Sequence, residues 1–111
     1  MNERCKSYGG YLIELNDKDE EKFMQDMVFS ANLLSEIVYT GLTDLGLEGH
    51  FYHYHTKKPI ASDLYWIERQ PDNYKGNEHC THVFIDGIQT AGLNDIDCHR
   101  TARYMCELPP Q

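Results

Sequence analysis

The sequence predicts a small α+β domain: one helix near the start, several short strands, and a long loop region in the second half. Three observations carry that expectation. Apolar residues recur four apart between Phe23 and Val28, which is the helix period. Other apolar segments are only five or six residues long and are bounded by turn formers, as short strands are. From Thr56 to Ile96 the chain is rich in Pro, Asn, Asp and Gly, and a long irregular stretch in a compact domain is usually functional. Tyr65, Trp66 and Phe84 inside that stretch argue against disorder. At 111 residues the chain amounts to one domain.

Each element has a local reason. Gly9-Gly10 makes a turn, and Tyr11–Leu15 after it reads as a strand. Asn16 reads as a helix N-cap, with Asp17, Asp19, Glu20 and Glu21 in the first turns, where acids suit the helix dipole. The pairs Phe23/Met27 and Met24/Val28 mark its buried face. Ile37–Leu42 reads as a buried strand ending near Gly41. His50–His55 alternates, with Phe51, His53 and His55 on one side. Two histidines on one strand face can share a metal, but solvated histidines on a pleated strand are the simpler expectation. Thr81–Ile85 is a strand within the loop region, and Ala102–Leu108 is the last.

Composition excludes several functions. Eighteen acids against ten bases give a formal net charge of −8, which repels a nucleic-acid backbone. No apolar run approaches the roughly 20 residues of a membrane helix. There is no Gly-x-Ser-x-Gly, Walker loop or His-Glu-x-x-His, so no enzyme class is indicated. The acidic excess suits a hard cation.

Cys5, Cys80, Cys98 and Cys106 stand singly, with no CxxC pair. That spacing speaks against a zinc ribbon and for disulfides in an oxidising compartment. Four cysteines allow three pairings. Residues 1–15 lack the apolar core of a secretory signal.

The loop region concentrates oxygen-bearing side chains: Gln70, Asp72, Glu78, Asn94 and Asp95. A cis bond at Pro71, accessible at small cost, would aim its two neighbours at one spot. If Cys80 pairs with Cys98, one disulfide ties Glu78, Asn94 and Asp95 into a patch. Carboxylates mixed with side-chain amides are calcium chemistry rather than zinc or copper chemistry.

With these residues in view, the chain resembles the C-type lectin domain family from Cys5 to Glu107. The markers, in order, are Cys5 with Gly9-Gly10-Tyr11-Leu12, then Tyr39-Thr40-Gly41-Leu42 where the family has Trp-Ile-Gly-Leu. Glu48-Gly49, Trp66, Gln70-Pro71-Asp72-Asn73, Gly76-Asn77-Glu78-His79-Cys80, Leu93-Asn94-Asp95, Cys98 and Cys106-Glu107 follow. The resemblance implies a C-type lectin-like fold, with short helices, small antiparallel sheets and a long calcium-binding loop region, over residues 1–111. It implies disulfides Cys5–Cys106 and Cys80–Cys98 and a calcium ion held by Gln70, Asp72, Glu78, Asn94 and Asp95. Sugar would contact Gln70, Asp72, Tyr74, Glu78 and Asn94. In the family, Gln-Pro-Asp goes with galactose and N-acetylgalactosamine, and Tyr74 stands where galactose receptors place an aromatic. Secretion, recognition of microbial surface glycans and homo-oligomers are common among such lectins.

The chain also departs from the family pattern. Leu93 replaces a core Trp. A second calcium site at Asp44, Glu48, Asn73 and Glu78 should be weak or empty, because Asn73 and His79 stand where acids are usual. Only Met1–Arg4 precede Cys5, so the opening strand and helix should be missing and a sheet edge near Met105 exposed. The competing expectation is a calcium-independent module of the same fold that binds protein, mineral or other glycans.

Overall fold

The computed structural model describes residues 2–33, 36–67, 70–71, 76–86 and 90–108. The elements in order are α1 (Asn2–Ser7), β1 (Tyr11–Leu12), α2 (Lys18–Ser30), β2 (Val38–Thr43), β3 (Tyr52–His53), β4 (Cys80–Asp86), β5 (Thr90–Ile96), β6 (Arg103–Tyr104) and β7 (Cys106–Glu107). The main sheet runs β3-β2-β4-β5 with antiparallel neighbours. Its fifth strand, β6, lies parallel to the first half of β2, Val38 facing Arg103 and Tyr39 facing Tyr104. The second sheet pairs β1 with β7, Leu12 opposite Cys106.

Both disulfides form as the resemblance implies. Cys5–Cys106 spans 101 residues and Cys80–Cys98 spans 18. Cys5 sits inside α1, so the expectation of a missing opening helix is corrected. Among the described strands β7 pairs with β1 alone.

α2 is capped one residue later than expected. Asp17, not Asn16, takes the extended N-cap conformation, and its Oδ1 accepts the Glu20 N–H at 2.9 Å. The Glu20 carboxylate reaches back to the Asn16 N–H at 2.7 Å, so both flanking donors are satisfied. The buried stripe of α2 is Glu21, Met24 and Val28. Phe23 is 61% exposed and Met27 44% exposed, correcting their placement on the core face. Each lies one residue, about 100° of helix, off that stripe.

The single strands expected at Tyr11–Leu15 and Ala102–Leu108 are both interrupted. Ile13 leaves the ladder and bridges two strands: its N–H donates to the Met105 carbonyl at 2.9 Å and its carbonyl accepts the Gly41 N–H at 2.8 Å. Met105 separates β6 from β7 and donates to the Tyr39 carbonyl. Chain crossing is tight at Gly41, where an added Cβ would stand 2.7 Å from the Ile13 carbonyl oxygen.

The His50–His55 strand shrinks to Tyr52–His53. His53 is buried opposite Leu42, and burial pushes its imidazole down from the ordinary histidine range. His55 is exposed and stacks on Tyr11 at 4.1 Å. The expectation of two solvated histidines on one face is therefore corrected. β5 was not expected from the sequence; its Gly92 and its Asn94-Asp95 pair break the apolar alternation.

The core joins Ile13, Leu15, Met24, Val28, Val38, Leu42, Leu64, Val83 and Leu93. Glu21 intrudes into it, with Oε1 accepting the Tyr65 N–H at 2.7 Å. Desolvation raises its carboxyl above the usual carboxylate range, against a smaller opposing pull from that hydrogen bond. A raised carboxylate contributes stability below its unfolded value and loses it as pH rises through the folded value.

Two outcomes follow. Urea unfolding of Glu21→Gln and the natural chain should show the natural chain gaining relative stability as pH falls from neutral toward 4. Cys5→Ser/Cys106→Ser should lower the unfolding free energy by about 4–5 kcal/mol, from a closed loop of about a hundred residues.

Candidate functional site

Three segments converge on the loop end of the main sheet. The first is 64–71. Trp66 bridges in parallel to Leu93, the Ile67 N–H donates to the Leu93 carbonyl, and the Leu93 N–H donates to the Tyr65 carbonyl, both at 2.9 Å. The Gln70 N–H donates to the Ile67 carbonyl at 2.8 Å. The Gln70–Pro71 bond is cis.

The second segment is 76–80. Asn77 donates from Nδ2 to Asp97 at 3.1 Å. The His79 carbonyl accepts from the Asp44 N–H and the Thr43 hydroxyl. Glu78, half-buried, is held between these two anchors. The third segment is β5 itself. Its register with β4 sets Asn94 opposite His82 and Asp95 opposite Thr81, so the two side chains take opposite faces. Asp95 is only 1% exposed.

Asn94 is oriented by a neighbour that sequence reasoning passed over. Its Nδ2 lies 3.1 Å from His82 Nε2. His82 is buried, and desolvation pushes its imidazole down from the ordinary histidine range. A neutral ring can accept the amide hydrogen at Nε2, which turns Asn94 Oδ1 away as a free acceptor. Setting Cys80 opposite Cys98 would place His82 opposite Ile96, two residues off the observed register, so the disulfide alone does not disclose this pair.

Of the expected ligand set, Gln70, Glu78, Asn94 and Asp95 fall in the described structure: Glu78 just before β4, Asn94 and Asp95 on β5, and Gln70 three residues after Ile67. Asp72, Asn73 and Tyr74 lie outside the described residues. The described donors are all oxygens, two carboxylates and two amides, and that set fits a hard cation such as calcium. At the expected second site, Asp44 and Glu48 gather instead around His79: its Nδ1 is 2.9 Å from Asp44 Oδ1 and 3.7 Å from Glu48 Oε1.

Beside Pro71 an open groove of about 740 Å³ is lined by Phe51, Tyr52, Trp66, Ile60 and Lys57. The Phe51 and Trp66 rings meet at 4.9 Å with a 57° tilt, an edge-biased aromatic contact. Among the described residues no helix is long and apolar enough to cross a membrane.

Comparison with known proteins agrees with this architecture. Residues 1–108 match the Lectin C-type domain family. C-type lectin 37Da of Drosophila melanogaster is 38% identical over 98% of this chain, which spans 61% of that protein. The hemolymph lipopolysaccharide-binding protein of Periplaneta americana is 31% identical over 94% of this chain, which spans 42% of it. Among solved structures, the mouse scavenger receptor C-type lectin carbohydrate-recognition domain superposes with TM-score 0.77 at 22% identity, over 98% of this chain and 80% of that one. CEL-I from Cucumaria echinata gives 0.75 at 22%, over 95% and 77%. The paired disulfides, the convergent loop segments and the family match over nearly the whole length make this chain a member of the C-type lectin domain family.

Proposed function

We propose that the chain is a calcium-dependent carbohydrate-binding module of the galactose and N-acetylgalactosamine type, acting outside the cell and not as an enzyme. The observation that supports this reading is the all-oxygen donor set of Gln70, Glu78, Asn94 and Asp95, with Asp95 buried on β5 and Asn94 bonded to His82. Gln70, Asp72, Glu78, Asn94 and Asp95 would hold the ion. When bound, calcium supplies a Lewis-acid anchor for two neighbouring sugar hydroxyls.

The chain's own groups then read the sugar's geometry. Carboxylates of Asp72 and Glu78 accept from the hydroxyls, while amides of Gln70 and Asn94 donate to them. Asn94 can do both jobs. One amide hydrogen is engaged by His82; the second would be left for a sugar hydroxyl and Oδ1 for the ion. With Gln70 before Pro71 and Asp72 after it, the hydrogen-bond polarity is that of Gln-Pro-Asp, which favours galactose. Tyr74 would pack on the apolar face of the sugar.

A single shallow site of this kind binds weakly, so useful retention requires several copies together. One relative is named a hemolymph lipopolysaccharide-binding protein, which supports microbial surface glycans as the target. A solved relative at 26% identity is described as trimeric, which supports a homo-oligomer.

Galactose–agarose should retain the chain in millimolar calcium and release it on chelation, and calcium should raise the melting temperature. Asp72→Ala should abolish that retention, because it deletes an ion ligand and a hydroxyl acceptor together. Retention that survives chelation would instead favour the calcium-independent reading. Gln70→Glu combined with Asp72→Asn should move preference toward mannose; unchanged galactose preference would place the selectivity in Tyr74 or the groove.

A further inference from the structure

We infer that Asp44, Glu48 and His79 form a site for a divalent transition-metal ion, zinc foremost, in place of a second calcium site. This goes beyond the sugar-binding reading and does not depend on it. The donor set decides the class of metal. Calcium takes six to eight oxygen ligands and gains little from an imidazole nitrogen, whereas zinc is held by three or four nitrogen and oxygen donors. His79 removes an oxygen and a negative charge and supplies the nitrogen.

The geometry is already close to what such an ion needs. Ligand bonds of about 2.0–2.2 Å in a tetrahedral arrangement put neighbouring donor atoms about 3.3–3.6 Å apart. His79 Nδ1 stands 2.9 Å from Asp44 Oδ1 and 3.7 Å from Glu48 Oε1, which brackets that spacing. One donor atom from each of the three residues lies within 4.8 Å of the other two.

The frame behind the donors is fixed. Asp44 follows the last residue of β2 and its N–H donates to the His79 carbonyl at 3.2 Å, extending the β2–β4 pairing by one step. Its second carboxylate oxygen accepts the Gly49 N–H at 2.9 Å. Ligating carboxylates in metal sites are typically oriented by such outer hydrogen bonds. Asp44 is buried, His79 half-buried and Glu48 exposed. The cluster therefore opens to solvent on one side, which gives an entry path and room for water as a fourth ligand.

The test is titration of the untagged chain, saturated with calcium, by cobalt followed by zinc. The natural chain should give the visible absorption of low-coordinate cobalt, and zinc should displace it. His79→Ala and Glu48→Gln should each weaken zinc binding at least about tenfold, since loss of an outer-shell group alone costs that much. Asp72→Ala should leave zinc binding intact, which separates this site from the sugar site. Equal zinc affinity in the natural chain and in His79→Ala, displacement of zinc by calcium, or no zinc binding would overturn the assignment. Should His79→Ala misfold, Glu48→Gln, at an exposed side chain, carries the test.

Discussion

The register of β4 against β5 is the constraint on which the rest of the functional end depends. Seven consecutive pairs run from Cys80–Ile96 to Asp86–Thr90. Side chains in a strand alternate, so a slip by one residue would exchange the faces of Asn94 and Asp95. Asp95 would leave the interior, Asn94 would lose His82, and Leu93 would leave the core. Two features oppose the slip: the Cys80–Cys98 disulfide at the open end of the hairpin, and the bridge from Trp66 to Leu93 with its flanking hydrogen bonds. Tyr39 adds a third. Fully buried, its hydroxyl donates to the Asp97 carbonyl and so fixes the turn in which the second cysteine of that bridge sits.

The opposite end of the domain is organised by closure rather than register. Cys5–Cys106 joins α1 to β7 across almost the whole chain. Ile13 threads between Met105 and Gly41 with a hydrogen bond on each side. Two acids, Glu14 and Glu107, line this junction: Glu107 Oε1 accepts the Glu14 N–H at 2.7 Å, and Glu14 Oε2 accepts the Thr56 N–H at 3.1 Å. Burial raises the Glu107 carboxyl, with Glu14 and Glu20 nearby adding to the effect. These acids are satisfied by backbone donors rather than by bases. Part of the chain's acidic excess is thus structural, and solubility alone does not account for it.

What the sequence disclosed divides along the same line. The helix period around Met24 and Val28, the buried β2 and the core of β4 were legible, because local pattern fixes them. β5 was not, since its polar pair and Gly92 hide a strand that only its partner reveals. The cap at Asp17 was missed by one residue because Asn16 and Asp17 are equally good caps, and the choice between them is made by Glu20. The exposure of Phe23 and Met27 depends on where Glu21 turns the helix, which tertiary packing decides. At the functional end, Glu78, Asn94 and Asp95 were legible as oxygen donors. The roles of His79 and His82 were not, because each follows from a neighbour about 35 and 12 residues away in sequence.

The distribution of donors has a thermodynamic consequence for the proposed lectin. Asn94 and Asp95 are placed by a strand that exists without any ion. Gln70 and Glu78 sit on connecting segments whose positions rest on a few hydrogen bonds. An ion bound by all of them would cross-link these three stretches, so part of its binding free energy would appear as stability of the loop end. The Asp44–His79 pair lies at the base of the same 76–80 segment, bonded backbone to backbone. Any ion taken there would stiffen the strand entrance from which Glu78 projects. A pre-ordered Glu78 loses less freedom when the first site fills, and coupling of that kind requires no change in the contacts of either site.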